Sequence, residues 1–218
     1  MMNKGIILLS GGLDSVVSLA IEKENCGINL ALTFDYGQKS AEKEIQASKK
    51  IAEFYGINHR IIKLDWLKEI TKSSLVSSEE IPAGIQKNSN LLWVPNRNGL
   101  FLNIAASIAD SEDYSFIIIG ANKEEAASFP DNTKNFIMRI NKTFKYSTKV
   151  HPKVIAPLIN KNKNDIVKSA LEYSIPLEMI YSCYTKSNKH CGKCESCIRL
   201  KNALASNHAE KYIEALFK

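Results

Sequence analysis

Short apolar runs alternate with helically spaced stretches along most of the chain. Residues 5–9 (GIILL) form a buried-strand pattern that stops at Ser10-Gly11-Gly12. Val16, Val17, Leu19, Ala20 and Ile21 then recur at the spacing of one helix face, predicting strand, tight loop and a helix over residues 14–24. Residues 29–34 (NLALTF) read as a second strand, 41–55 as an amphipathic helix through Ile45, Ala47, Ile51 and Phe54, and 59–64 as a third strand. The rhythm resumes with a helix over 100–109, a buried strand over 116–119 (FIII) and a helix over 134–144 capped by Asp131 or Asn132. A last strand over 154–158 and a helix over 163–173 complete it. Strands that alternate with helices imply a parallel sheet. The predicted fold class is therefore α/β, a doubly wound, Rossmann-like sheet of about five strands.

Two stretches depart from that alternation. Residues 65–95, with Ser73, Ser74, Ser77, Ser78, Pro82 and Gly84, form a long connection of the kind kept for function or disorder, and the expectation is a mobile lid. After Pro176 the composition shifts to a cysteine-rich turn followed by helices over 195–205 and 208–217. The predicted division is an α/β domain over 1–176 and a small zinc-binding helical tail over 177–218.

Composition adds bounds rather than detail. A chain of 218 residues, 44% hydrophobic and 24% charged, has room for one full core and excludes disordered and membrane classes. The apolar run ending at Ser10 is too brief to span a bilayer and lacks a small-residue cleavage site, so the expected location is cytoplasmic. The formal charge of +6 concentrates in residues 133–164, which carry Lys134, Arg139, Lys142, Lys145, Lys149, Lys153, Lys161 and Lys163 and no acid before Asp165. That stretch is either a solvated helix face or a positive rim for ATP and an acidic substrate.

The first strand running into Ser10-Gly11-Gly12-Leu13-Asp14-Ser15 and then a helix is an arrangement for holding phosphate. Glycines let the backbone approach an anion, the helix start turns amides towards it, and the Ser10 and Ser15 hydroxyls donate. Asp14 either holds Mg²⁺ or fixes the loop by accepting backbone N–H bonds. Neither G-x-x-x-x-G-K-[ST] nor G-x-G-x-x-G is present, which excludes the two commonest nucleotide folds. The candidate nucleotide-binding segment is Leu9, Ser10, Gly11, Gly12, Leu13, Asp14, Ser15, Val16, Val17, Ser18 and Leu19.

Cys183, Cys191, Cys194 and Cys197 fall as C-x7-C-x2-C-x2-C, a spacing that converges on one ion, with Zn²⁺ expected. Four thiolates leave no open position, so the role is structural. Lys186, Lys189, Lys193 and Arg199 lie where they would offset the negative centre, His190 is a competing ligand, and Cys26 is a remote thiol.

The SGGLDS loop is similar to the pyrophosphate loop of the N-type ATP pyrophosphatases, enzymes that cleave ATP to AMP and pyrophosphate. Read with it, Tyr36-Gly37-Gln38, Val94-Pro95-Asn96-Arg97-Asn98, Phe129-Pro130-Asp131, Ala156-Pro157-Leu158 with Lys163, and Ser182-Cys183-Tyr184 before CGKCESC narrow the resemblance. The chain resembles the 7-cyano-7-deazaguanine synthase family of queuosine biosynthesis over residues 8–199. That resemblance implies an ATP-dependent carbon–nitrogen ligase using ATP, Mg²⁺ and Zn²⁺, acting on 7-carboxy-7-deazaguanine and ammonia. It implies Asp14, Lys163 and Arg97 as catalytic candidates, a homodimer, and no nucleic-acid or membrane partner. Departures are Asn96 where the family pattern has glycine, Asn132-Thr133 where it has Cys-Arg, and Lys39-Ser40 after the Tyr-Gly-Gln. Arg97 either grips a carboxylate or is a surface arginine, and Asp131 either meets the guanine-like edge or caps a helix. Two rivals are a tRNA thiolase and a zinc-bearing nucleic-acid-binding protein with a relict loop.

Overall fold

The computed structural model describes residues 4–86 and 89–218. Five strands, β1 (Gly5–Leu8), β2 (Ile28–Asp35), β3 (Asn58–Lys63), β4 (Phe116–Ile118) and β5 (Lys153–Ile155), form one sheet in the order β3-β2-β1-β4-β5. Every pairing is parallel. The chain winds outward from β1 to β2 and β3, then returns to place β4 on the other side of β1. This reversal leaves a crevice beyond the carboxyl ends of the central strands.

Eight helices cover the sheet: α1 (Leu13–Cys26), α2 (Ala41–Tyr55), α3 (Arg97–Glu112), α4 (Lys123–Ala126), α5 (Lys134–Ser147), α6 (Lys163–Glu172), α7 (Glu195–Ser206) and α8 (Glu210–Leu216), counted among the described residues. Side-chain alternation at β1 decides which face each residue serves. Ile7 and Leu9 point into a core built with α1, α2, α6 and α7, through Val16, Val17, Ile51, Ile166, Val167 and Leu200. Ile6 and Leu8 point into the opposite core, against Phe101, Leu102, Ala105 and Ala106 of α3 and Ile140 and Phe144 of α5. Both faces are therefore apolar and both are covered, which is why the central strands read as continuous hydrophobic runs.

Several boundaries differ from the sequence reading for identifiable reasons. Helix α1 begins at Leu13 and runs on to Cys26, where Gly27 at φ 56° ends it in the left-handed conformation. Helix α3 starts at Arg97 rather than residue 100. Strand β5 stops at Ile155 because Pro157 follows and the Ile159 N–H turns back to the Ala156 carbonyl. Helix α5 is capped by neither Asp131 nor Asn132: the Thr133 hydroxyl accepts from the Phe136 N–H at 3.1 Å. Helix α4 was not anticipated, being four residues long and without apolar periodicity. The Asn122 side chain caps it by accepting from the Glu124 and Glu125 N–H groups.

The long connection is stitched down along much of its length. Leu67, Leu75, Leu92 and Val94 are buried in the α3 core, and the Ser74 N–H and hydroxyl both donate to the Leu91 carbonyl. Residues 87–88 of the expected lid, and residues 1–3 ahead of β1, lie outside the described residues. In the tail, Leu177, Ile180, Tyr181, Leu200, Leu204 and Phe217 join the same core as Val16 and Ile51. The tail is thus folded onto one face of the sheet. Among the described residues no helix is long and apolar enough to cross a membrane.

Candidate active site

The carboxyl ends of β1 and β2, the start of α3 and the tail enclose one cavity. Its walls include Ser10, Gly12, Asp14, Ser15, Phe34, Tyr36, Glu44, Trp93, Arg97, Asn98, Glu125, Phe129, Asp131, Lys163, Tyr181, Ser182 and Tyr184. The position follows from the strand reversal and is where a parallel sheet receives its ligand.

Gly11 shapes the loop. It sits at φ 76°, and a Cβ there would lie 2.7 Å from the Ala47 Cβ, 2.9 Å from the Ser48 nitrogen and 3.0 Å from the Glu44 carbonyl oxygen. Only glycine permits both that conformation and that approach to α2. Within the loop the Ser15 hydroxyl donates to the Gly12 carbonyl at 3.0 Å and lies 3.2 Å from the Ser10 hydroxyl, so two hydroxyls and the first-turn amides of α1 converge on one edge of the cavity. Gly120, just past β4, supports this edge from below, since a Cβ there would stand 2.9 Å from the Ser15 nitrogen.

Of the candidate nucleotide-binding segment, Leu9, Ser10, Gly12, Leu13, Asp14 and Ser15 line the cavity. Gly11, Val16, Val17, Ser18 and Leu19 do not. Gly11 faces α2, and the other four point into the protein as α1 turns away, all of them fully buried. Four consecutive residues span a full helical turn, so α1 is enclosed on every side at this point.

Lys163 and Asp14, 149 residues apart, meet at the cavity floor. The Lys163 ammonium donates to both carboxylate oxygens of Asp14, at 2.9 and 2.7 Å. Lys163 is the first residue of α6, whose start is fixed by a reciprocal box between Asn162 and Asp165, and its backbone N–H donates to Glu124 at 2.7 Å. Asp14 also accepts from the Asn122 amide at 3.4 Å. Burial would push Lys163 down, but Asp14 and then Glu125 outweigh it and hold the amine above its ordinary value. Glu125 is pushed up, first by burial and then by the charge of Asp14. Burial would likewise raise Glu124, yet the Lys163 N–H and the Arg199 guanidinium hold it below the usual range.

Arg97 opens α3 on the facing wall and is half-buried. Its guanidinium donates to the Tyr36 hydroxyl at 3.2 Å and faces the Tyr36 ring at 5.9 Å. Burial would lower it, but Tyr36, Glu125 and Asp131 keep it above its ordinary value. Asn96 precedes it at φ 53°. The departure from glycine in the family pattern is thus filled by the residue type that best tolerates left-handed backbone. Asp131 accepts from the Asn98 N–H at 3.0 Å and from the Asn132 amide at 3.3 Å, so its carboxylate secures the start of α3. Nearby, Tyr36-Gly37-Gln38 is held by Gln38, whose oxygen accepts from the Tyr36 N–H while its amide donates to Glu44 at 2.9 Å. Ser40, another departure, donates to the same carboxylate at 2.5 Å.

The sequence reading missed Glu44, Glu125 and Trp93, whose ring stacks on Phe129 of the Phe129-Pro130-Asp131 motif at 5.6 Å and 9°. Glu125 had one readable signal, its place just beyond the strand end at Gly120.

The Sγ atoms of Cys183, Cys191, Cys194 and Cys197 all lie within 4.8 Å of one another. The Cys191–Cys197 separation is 3.8 Å, the edge of a tetrahedron about a Zn²⁺ ion with Zn–S near 2.3 Å. The Thr185, Cys191, Lys193 and Cys194 amides donate to these sulfurs, as suits thiolates around a metal. His190 is no competing ligand, because both its ring nitrogens are engaged elsewhere. Arg199 pairs with Glu124 and Glu195, and Lys186 with Glu42, so these cations serve carboxylates and not the sulfurs. Cys26 is buried at the end of α1 with its thiol against Glu22, and burial pushes it up to about 11.

Fold and site together define a doubly wound α/β protein with a glycine-rich loop at its switch point and a four-cysteine tail. The family model described as queuosine biosynthesis protein QueC matches residues 4–208. The chain belongs to this family. A relative from Methanosarcina mazei, named 7-cyano-7-deazaguanine synthase, is 49% identical over 214 residues, covering 92% of this chain and 93% of its own. One of the same name from Carboxydothermus hydrogenoformans is 48% identical over 215 residues, covering 94% and 100%. The solved structure of NMN synthetase from Francisella tularensis shares the fold, with a TM-score of 0.50 at 16% identity over 99% of this chain and 82% of that one.

Proposed function

We propose that this protein is an ATP-dependent carbon–nitrogen ligase that converts 7-carboxy-7-deazaguanine and ammonia to 7-cyano-7-deazaguanine. The observation that carries the reading is the convergence of the SGGLDS loop, the Lys163–Asp14 pair and Arg97 on one cavity, in a chain of this family.

The chemistry suits such a site. A carboxylate oxygen is a poor leaving group. Attack of that oxygen on the α-phosphorus of ATP forms an acyl adenylate and releases pyrophosphate, and ammonia then displaces AMP to give the amide. Attack of the amide oxygen on a second ATP gives an adenylated imidate and a second pyrophosphate. Loss of AMP and of the nitrogen's remaining protons leaves the nitrile. Each round develops negative charge on the departing pyrophosphate, where the loop amides, Ser10, Ser15 and the Lys163 ammonium receive it. Arg97 receives the substrate carboxylate, and the Trp93–Phe129 pair offers an aromatic face to the heterocycle.

Of the carboxylates that line this space, Asp14 and Glu125, both beside Lys163, would hold Mg²⁺, which offsets triphosphate charge when bound. The four thiolates would hold Zn²⁺ as a closed structural site. The family resemblance supports a homodimer in the cytoplasm as part of the same proposal.

The test is incubation of the protein with 7-carboxy-7-deazaguanine, ammonium and Mg-ATP, with AMP and product followed by mass spectrometry. The expected yield is two AMP per nitrile. Unchanged substrate in the presence of folded, zinc-loaded protein sinks the proposal.

A further inference from the structure

We infer that His190 is a positioning residue that ties the cysteine-bearing tail to the phosphate loop, so that metal occupancy and nucleotide binding reinforce each other. The inference rests on the loop's being the site of ATP.

Partners dictate the state of the His190 ring. Its Nε2 lies 2.9 Å from the Ser182 backbone nitrogen, which can only donate, and its Nδ1 lies 3.2 Å from the Leu216 carbonyl, which can only accept. The ring is therefore a neutral imidazole carrying its proton on Nδ1. It is buried and held between Tyr181 and Phe217, with ring centroids at 5.2 and 5.1 Å.

The residue it holds reaches the loop. The Ser182 hydroxyl accepts from the Leu13 N–H at 3.1 Å, one of the donors that open α1 and that no other residue satisfies, and the adjacent Tyr181 N–H donates to the Gly11 carbonyl at 2.8 Å. A Cβ on Gly12 would stand 3.5 Å from this hydroxyl, an ordinary contact distance, so the tail lies directly beside the loop. The dipeptides Ser182-Cys183 and His190-Cys191 each give one residue to the metal cluster and the other to the Ser182–His190 hydrogen bond. Gathering the four sulfurs thus brings the Ser182 N–H to the His190 ring and sets the hydroxyl beneath Leu13. Without an ion nothing covalent or ionic holds the two dipeptides in register, and the loop loses its cap. By linkage, nucleotide that orders the loop must tighten metal retention by the same factor.

The experiment uses full-length, zinc-loaded protein and a non-hydrolysable ATP analogue, with zinc content, analogue Kd by calorimetry, and the rate of zinc release to a chelator as readouts. His190→Phe keeps a ring between Tyr181 and Phe217 but removes both hydrogen bonds. It should retain zinc and raise Kd by about 10-fold, the upper end for one lost hydrogen bond. Ser182→Ala should do the same without touching the ring, and His190→Gln, whose amide meets both partners, should restore most of the affinity. Saturating analogue should slow zinc release from the unsubstituted protein, and that slowing should vanish in Ser182→Ala. If both variants bind the analogue normally at full zinc content, or if the analogue leaves zinc release unchanged, the coupling is refuted. Should His190→Phe fail to fold, Ser182→Ala and the release rates decide alone. Failure of the unsubstituted protein to bind the analogue would instead remove the ATP reading, and this inference with it.

Discussion

Replacing Lys163 with methionine keeps most of the unbranched stem and removes its ammonium from Asp14. The two side chains are 12% and 20% exposed, so the carboxylate left behind is largely out of water and stripped of its strongest partner. Loss of one member of a buried pair typically costs roughly 3–5 kcal/mol. The Asn122 amide at 3.4 Å still reaches Asp14, and its residual exposure admits solvent, so the expected loss is about 2–3 kcal/mol. Asp14→Asn leaves the ammonium facing Glu125 and should cost less. The double variant, with neither charge, should regain much of what Lys163→Met loses, giving a coupling of about 1–2 kcal/mol in a double-mutant cycle. Urea denaturation of the three variants measures it. AMP formation should behave differently: both single variants and the double variant should be inactive, because removing the strain of an unpaired charge does not restore the charges that line the cavity. Additive stabilities, or AMP release recovered in the double variant, would refute the account of this pair.

Four further outcomes follow from the same geometry. Gly11→Ala combines a left-handed backbone, about 1–2 kcal/mol, with overpacking against α2, about 1–3 kcal/mol, and should abolish AMP formation; a melting temperature within error of the unsubstituted protein argues against it. Asn96→Gly should be near neutral in urea midpoint, whereas Asn96→Ala should lose about 1 kcal/mol at φ 53°. The folded-state value of Lys163 is raised, so its stabilisation is complete below the ordinary lysine range near 10.4 and fades only as pH rises through the higher value. The pH profile of AMP formation should therefore show no Lys163 ionisation below about pH 10, and one would count against the pairing. Cys194→Ser should lose bound metal and lower the melting temperature, checked by metal analysis and calorimetry.

Much of this fold is local enough to be read from the chain. The strand-loop-helix at residues 5–26 announces itself because Ile6, Ile7, Leu8 and Leu9 are all buried, the loop needs glycine and the helix has a 3.6-residue period. The cysteine cluster is legible because three of its ligands lie within seven residues. What was hidden depends on long-range partners. Asp131 looks like a cap for the helix that follows it, but its acceptor role is to Asn98, 33 residues earlier, while Thr133 does the local work. The expected lid reads as serine-rich and polar, yet Ser73 and Ser74 bond to the Leu91 carbonyl and Leu67, Leu75 and Leu92 fill the α3 core. His190 reads as a spare metal ligand until Ser182 and Leu216 are seen at its two nitrogens.

The hydrogen bond from Leu13 to Ser182 spans 169 residues and joins the first helix to the last fifth of the chain. Translation at about 5–20 residues per second places roughly 8–34 s between the synthesis of those two positions. A nascent chain therefore has its glycine-rich loop, and later Arg97, well before it has the serine that caps the loop. The site is completed only when the tail has emerged and gathered its sulfurs, so a truncated or metal-starved chain carries an unfinished loop. On the proposed function, such chains in cells short of metal would be inactive protein and not wasteful consumers of ATP.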